Sequence, residues 1–141
     1  YATDEHALAN SRSRLRMMTL YQFAGQYKGI VVGTGNKVED YGVGFYTKYG
    51  DGGVDIAPIA DLYKTEVWEL GKHLGVDSRI IEATPTDGLW NDGRTDEDQL
   101  GTTYVALEEA MESGTGDAVK ILETFNNMNS HKMNPIPTFK L

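Results

Sequence analysis

One short apolar run constrains the fold of this chain more than any other feature. Residues 30–32 have the sequence Ile-Val-Val, and the polar run Gly-Thr-Gly-Asn follows directly at 33–36. Such a run suits a strand buried on both faces of a parallel sheet, and the polar residues then lie at the carboxyl end of that strand, where open α/β sheets bind ligands. One strand alone leaves its backbone groups without partners. Its neighbours therefore lie either in segments such as 53–58 or in residues upstream of this chain, and we favour the second source.

The remaining pattern predicts mostly helix. Thr95 and Asp98 resemble a capping box, Gly75 is a natural helix end, and residues 40–58 show too little periodicity for anything but a loop. The first helix has its apolar face at the i, i+3, i+4, i+7 spacing, on Met17, Leu20, Tyr21 and Ala24. Helices are predicted at 4–28, 59–74, 78–83, 95–111 and 117–127. We assign the chain to the α/β class, as one helix-rich domain over residues 1–141.

Composition excludes several functions. The chain has no cysteine, so neither a disulfide framework nor a thiolate metal site can form, and we expect a cytoplasmic protein. The formal charge of −8 argues against a nucleic-acid-binding surface, which normally carries a basic stripe. No apolar run approaches the length of a membrane span, so no membrane partner is expected. A phosphate-rich ligand would need a few well-placed cations, backbone amides or a metal ion on this acidic background.

Six short polar or glycine-containing blocks follow one another along the chain. They are Asn-Ser-Arg-Ser-Arg-Leu-Arg-Met at 10–17, Gly-Thr-Gly-Asn-Lys-Val-Glu at 33–39, Thr-Lys-Tyr-Gly-Asp-Gly-Gly at 47–53, Asp-Leu-Tyr-Lys at 61–64, Pro-Thr-Asp-Gly at 85–88 and Ser-His-Lys at 130–132. In order and spacing they resemble the ammonia-dependent NAD synthetase family over nearly the whole chain. The resemblance implies a Rossmann-like parallel sheet with flanking helices, of the adenine-nucleotide alpha-hydrolase type. This chain would be its helix-rich carboxy-terminal part, because the family's Ser-Gly-Gly-x-Asp-Ser phosphate loop is not among these residues.

The resemblance also implies a reaction and its cofactors. ATP would adenylate the nicotinate carboxylate of deamido-NAD, and ammonia would then convert the acyl-adenylate to NAD and AMP. The first step needs Mg²⁺ and cations on the triphosphate, and the second needs a dry pocket. Family members are homodimers, so a homodimer is expected. The motifs match the ammonia-dependent subtype, so the resemblance implies free ammonia as the nitrogen source. Nothing within this chain resembles a glutaminase, whose nucleophile would be a cysteine.

Site residues carry over from the family by position, and no catalytic residue is assigned. The ATP contacts are Thr34, Lys64 and Thr86. The deamido-NAD contacts are Arg14, Lys48, Asp55, His131 and Lys132. Glu39 matches the Mg²⁺ ligand, since a hard cation prefers carboxylate oxygens. Asp40 is its rival, because this chain has one more residue between Glu39 and Lys48 than many relatives.

Less specific interpretations remain open for these residues. Without the resemblance, Lys64 would be a solvated surface lysine, and solvated charge is the preferred interpretation for Arg12, Arg16 and the acidic loop 92–98. The main alternative function is a non-catalytic dinucleotide-binding or dimer-forming fragment without the phosphate loop. A further alternative is a related ATP-dependent ligase acting on another acid, which would keep the ATP contacts but have no need of Arg14, Asp55 or His131.

Overall fold

A computed structural model describes residues 4–140, so the ends of the predicted domain, residues 1–3 and 141, lie outside the described residues. Six α-helices and one π-helical turn, Val38–Val43, make up the regular structure of this part of the chain. The α-helices are α1 (Glu5–Tyr27), α2 (Lys64–His73), α3 (Ser78–Ile81), α4 (Asp96–Leu100), α5 (Tyr104–Ser113) and α6 (Val119–Met133). None of the helices within residues 4–140 is both long enough and apolar enough to cross a membrane.

The predicted strand at 30–32 is reduced to a single parallel bridge. Val32 pairs with Ile56, and the Gly33 amide donates to the Ile56 carbonyl oxygen at 2.7 Å. This is the only β pairing within residues 4–140, and its partner comes from the segment 53–58. The parallel direction agrees with the prediction. Within residues 4–140, Val31 is buried, whereas Ile30 and Val32 are 59% and 51% exposed, so burial of the run on both faces by upstream strands stays a prediction.

The core lies where the π-helical turn packs against α5 and α6. Its buried side chains come from the turn, from α4, from α5 and from the residue before α6: Val38, Val43, Leu100, Tyr104, Leu107, Ala110 and Ala118. Two amides of α6 bond to backbone carbonyls of the turn, Asn126 to Gly42 at 3.1 Å and Asn129 to Val43 at 2.8 Å. The loop predicted at 40–58 therefore begins inside a packed helical turn, which the sequence pattern did not indicate.

Three predicted helix boundaries need correction. Helix α2 begins at Lys64 rather than at 59, because the Leu62 carbonyl oxygen accepts from the Lys37 amide at 2.8 Å instead of continuing a helix. The single helix predicted at 95–111 is divided into α4 and α5 by Gly101, whose φ of +72° is left-handed. Helix α6 runs beyond 127 to Met133, so the predicted tail residues lie in its last turn.

The start of α5 offers a test of local stability. The Thr103 hydroxyl accepts from the Ala106 amide at 3.2 Å and caps the helix. Thr103→Ala is expected to lower the free energy of unfolding by about 1 kcal/mol, measured by urea denaturation. Thr124→Ala is the matched control, because the Thr124 hydroxyl bonds only a carbonyl oxygen of its own helix, and its effect should stay below about 0.5 kcal/mol. Equal losses in both variants would contradict the assigned cap.

Candidate functional site

Four residues from distant parts of the sequence line one cleft of about 480 Å³. They are Thr34, Glu39, Lys64 and Thr86, the residues predicted to contact ATP and its metal ion. The cleft opens beside Val31, Val32 and Gly33, at the carboxyl end of the strand-like segment. Helix α1 contributes the apolar side chains Met17 and Leu20 to the same wall. The structure therefore brings this predicted group together, at the end of the bridge where open α/β folds bind ligands.

A shielded ion pair lies in this cleft. The Lys64 ammonium donates to Glu39 Oε1 at 3.1 Å, and the two side chains are only 18% and 15% exposed. The Tyr104 hydroxyl donates to the same oxygen at 2.7 Å, and the Lys64 nitrogen lies 4.9 Å from the centre of the Tyr104 ring. Lys64 is thus not a solvated surface lysine in this structure. Its charge is held in place at the cleft by an anion and an aromatic face.

Asp96 is a buried carboxylate in the same cleft, so the interpretation of residues 92–98 as solvated charge is wrong at this position. It is 7% exposed, its Oδ2 lies 3.3 Å from the Tyr104 hydroxyl, and its Oδ1 has no hydrogen-bond partner in the described part of the chain. Burial, and next the negative charge of Glu39, raise the pKa of Asp96. The only sequence signal was its position at the start of α4, and helix starts favour acidic residues anyway.

The predicted metal ligand and its rival differ in their access to the first cleft. Both Glu39 and Asp40 line an adjoining pocket of about 260 Å³, but only Glu39 also lines the 480 Å³ cleft. Burial, followed by the charges of Glu39 and Asp51, raises the pKa of Asp40 to about 6. No group of three or more His, Cys, Asp or Glu side chains within residues 4–140 could by itself hold a metal ion. The donor set near Glu39, with the unpartnered Asp96 oxygen, still fits Mg²⁺, which takes one or two protein carboxylates and completes its shell with phosphates and waters.

The residues predicted to contact the dinucleotide divide into two groups. Arg14, Lys48, His131 and Lys132 line a second cleft of about 820 Å³. Asp55 does not line it. Its carboxylate instead accepts from the Val31 amide at 2.8 Å and from the Tyr21 hydroxyl at 3.2 Å, which ties the bridge segment to α1. The prediction of a shared site therefore covers four of the five residues in this structure.

The three cations predicted to contact the dinucleotide are held by neutral groups, whereas Arg94, which also lines this cleft, pairs with Asp92. Arg14 donates to the Lys48 carbonyl oxygen at 3.2 Å, and Lys48 donates to the His131 carbonyl oxygen at 2.5 Å. Lys132 donates to the carbonyl oxygens of Gly44 and Tyr46 at 2.8 and 2.7 Å. None of the three forms an ion pair within residues 4–140. Their positive charge is therefore oriented but not neutralised, which suits an anionic ligand on an acidic protein.

Two arginines are exposed, as expected, but they also anchor a loop. Arg12 donates to the Leu89 carbonyl oxygen at 2.7 Å, and Arg16 donates to the carbonyl oxygens of Asp87 and Gly88 at 3.2 and 3.0 Å. The expectation did not include these bonds because it considered α1 alone. The i, i+4 spacing, which places both arginines on one face of the helix, was the available signal. These bonds fix the loop that carries Thr86 over the first cleft.

Removing one of these anchors should loosen the loop. In Arg16→Ala, two carbonyl bonds disappear, so limited trypsin cleavage after Arg94 is expected to accelerate severalfold, as followed by mass spectrometry, since local opening governs proteolysis. Gln22→Ala, at an exposed position of the same helix, serves as the control and should cleave at the wild-type rate. An unchanged rate in Arg16→Ala would show that the arginine does not hold the loop.

The sequence of this chain is similar to NAD synthetases. The family model described as NAD synthase matches residues 1–137. An NH3-dependent NAD(+) synthetase from Thermoplasma volcanium is 49% identical over 112 residues, which cover 79% of this chain and 46% of that protein. The chain spans about half the length of the curated relatives it matches.

Solved structures extend the comparison to the fold. An NMN synthetase from Francisella tularensis is similar with a TM-score of 0.87 and 40% identity, over 99% of this chain and 59% of that one. An NH3-dependent NAD synthetase from Campylobacter jejuni is similar with a TM-score of 0.72 and 26% identity, over 99% of this chain and 58% of that one. The helix-rich arrangement around the two clefts therefore has the fold found in these synthetases.

Proposed function

Because the chain belongs to the NAD synthase family, we propose that it supplies much of the active site of an ammonia-dependent NAD synthetase, as one domain over residues 1–141. The carboxylate of deamido-NAD attacks the α-phosphorus of ATP and pyrophosphate leaves. Ammonia then attacks the acyl carbon, AMP leaves, and a proton is lost to give the amide. The single observation that carries this proposal is the meeting of Thr34, Glu39, Lys64 and Thr86 on one cleft. These residues come from four separate segments between positions 34 and 86, and the resemblance to the family assigns three of them to ATP and Glu39 to its metal ion.

The first cleft is the ATP end of the proposed site. Lys64 presents an ammonium group that can pass from Glu39 to a phosphate oxygen, and the Thr34 and Thr86 hydroxyls border the same space. Glu39, with Asp96 behind it, would hold Mg²⁺, which when bound neutralises phosphate charge during adenylation. The chain's own part is to orient the nucleotide and to offer preorganised positive charge where negative charge develops.

The second cleft is the dinucleotide end. Arg14, Lys48 and Lys132 offer un-neutralised charges at fixed positions for the pyrophosphate of deamido-NAD. We assign Asp55 a structural role, because its carboxylate joins the Val31 backbone to the Tyr21 side chain.

The predicted homodimer also belongs to the proposal. It is supported by the exposed apolar side chains of α1, which include Leu15, Met18 and Phe23 at 58%, 59% and 50% exposure.

A second candidate substrate follows from the similarity to an NMN synthetase at a TM-score of 0.87. The same adenylation and amidation would then act on nicotinate mononucleotide, which lacks the adenylate half of deamido-NAD. The kcat/KM values for the two acids decide between them. We expect deamido-NAD to be preferred, because the second cleft, of about 820 Å³, has room for a dinucleotide.

The proposal is tested by assaying the purified protein at its natural length, established by intact-mass measurement. With ATP, Mg²⁺, deamido-NAD and ammonium, we expect NAD, AMP and pyrophosphate in equal amounts. Binding of both nucleotides without turnover would favour the dinucleotide-binding alternative. A folded protein that neither binds nor converts either acid would refute the proposed function.

A further inference from the structure

Glu108 is a buried carboxylate outside the two clefts. It lies on α5, is 8% exposed, and pairs with no cation within residues 4–140. An ionised carboxylate at such a position needs strong hydrogen bonds to offset its desolvation. Both of its bonds come from one residue: the Thr65 amide donates to Oε1 at 3.1 Å and the Thr65 hydroxyl donates to Oε2 at 2.7 Å.

Thr65 is the second residue of α2, and the first is Lys64. The first amides of a helix have no partner within the helix, and a negative charge there is stabilised by the helix dipole. Glu108 supplies that charge from another helix, in addition to the local bond between the Tyr63 amide and Glu66 at 2.8 Å. The start of α2, and with it the Lys64 backbone, is thereby fixed to α5.

Helix α5 also holds Glu39, the carboxylate that pairs with the Lys64 ammonium group. Tyr104 lies one turn before Glu108, donates its hydroxyl to Glu39, and packs its ring edge-on against Trp68 of α2 at 6.4 Å. Glu108 and Tyr104 lie on one face of α5. Glu108 holds the backbone next to Lys64, and Tyr104 holds Glu39, which pairs with the Lys64 ammonium group. Helix α5 therefore fixes the position of Lys64 at both its backbone and its ammonium group.

We propose that Glu108 is a positioning residue that sets the placement of Lys64 in the cleft by capping α2 through Thr65. The assignment rests on the proposed function for its kinetic consequence, but the placement of Lys64 can be measured without it. Within residues 4–140 the hydrogen bonds of the Glu108 carboxylate come from Thr65, which lines neither cleft, so Glu108 acts by orienting α2.

The first test measures the accessibility of each lysine with an amine-acylating reagent and peptide mass spectrometry. In the wild type, Lys64 should label slowly relative to Lys72, since their side chains are 18% and 58% exposed. Glu108→Gln keeps the shape of the side chain but removes its charge and one acceptor, so Lys64 labelling is expected to rise severalfold while Lys72 is unchanged. Thr65→Val removes the hydroxyl from the other side of the same contact and should act in the same direction.

Glu109→Gln is the matched control, because Glu109 is the next residue on α5 and is exposed. It should label as the wild type does. Unchanged Lys64 labelling in both Glu108→Gln and Thr65→Val overturns the proposal. An equal rise at every lysine also overturns it, because that result means general loosening rather than control of Lys64.

The second test is kinetic and separates positioning from a purely structural role. Glu108→Gln should raise the KM for ATP about tenfold, as expected for a weakened bond to a charged group, with the KM for deamido-NAD unchanged. In a Lys64→Met background, Glu108→Gln should add no further change in the ATP KM. Additive effects, or equal rises in both KM values, contradict the proposal. A wild type without ligase activity would refute the proposed function. The labelling experiment would still decide whether Glu108 positions Lys64, because it does not depend on activity.

Discussion

Replacing Lys64 by methionine is expected to lower kcat/KM for ATP by about 100-fold or more. The substitution keeps the length and apolar stem of the side chain but removes the ammonium group that lies 3.1 Å from Glu39 in the shielded cleft. A preorganised donor that stabilises charge developing in the transition state typically contributes a factor of this size. Stopped assays of NAD and pyrophosphate formation over a range of ATP concentrations measure the change.

Lys72→Met is the matched control for this prediction. Lys72 lies on the same helix but is exposed and pairs with Glu69 at 2.8 Å, a contact of the kind that contributes little. Its kcat/KM should stay within about twofold of the wild type. If Lys64→Met behaved like Lys72→Met, Lys64 would belong to the protein's ordinary surface, and the ATP end of the proposed site would lose its main cation.

Replacing Glu39 by glutamine is expected to lower kcat by about 100-fold and to raise the Mg²⁺ concentration needed for half-maximal rate. The amide has no charge with which to hold a hard cation, and it leaves Lys64 without its anionic partner in the cleft. The measurement is a Mg²⁺ titration of NAD formation at saturating ATP. Tyr104→Phe separates the two effects, because it removes the 2.7 Å bond to Glu39 but keeps the carboxylate, so its Mg²⁺ requirement should change little.

Asp40→Asn decides between the two candidate metal ligands. Asp40 lines the smaller pocket but not the cleft lined by Lys64 and Thr86, so the substitution is expected to shift the Mg²⁺ titration much less than Glu39→Gln does. A larger shift in Asp40→Asn than in Glu39→Gln would transfer the ligand role to Asp40.

Local signals in the sequence predicted some helices well and others poorly. Helix α1 begins after Asp4, whose carboxylate accepts from the His6 amide at 2.9 Å, and the capping box of Thr95 and Asp98 forms as predicted. These features depend on neighbouring residues only. The late start of α2 depends instead on the Lys37 amide bonding to the Leu62 carbonyl oxygen, a tertiary contact that no local pattern encodes. The π-helical turn likewise depends on amides from α6.

In the candidate site, too, the sequence predicted some residues and missed others. The resemblance to a family placed Thr34, Lys64 and Thr86 in one site, and they line one cleft in the structure, while their roles there remain predictions. Tyr104 and Glu108 were missed because their polar atoms bond to residues of other elements, Glu39 and Thr65, which no local pattern indicates. Buried polar partners of this kind are visible only once the helices are packed together.

The most direct test of the central claim follows an oxygen atom through the reaction. Deamido-NAD labelled with ¹⁸O in its nicotinate carboxylate is converted by the purified protein with ATP, Mg²⁺ and ammonium, and the AMP is analysed by mass spectrometry. Adenylation of the carboxylate predicts that one ¹⁸O atom appears in each AMP formed, because the carboxylate oxygen becomes bonded to the α-phosphorus. AMP without ¹⁸O, or ¹⁸O in inorganic phosphate with ADP as the other product, would contradict the account.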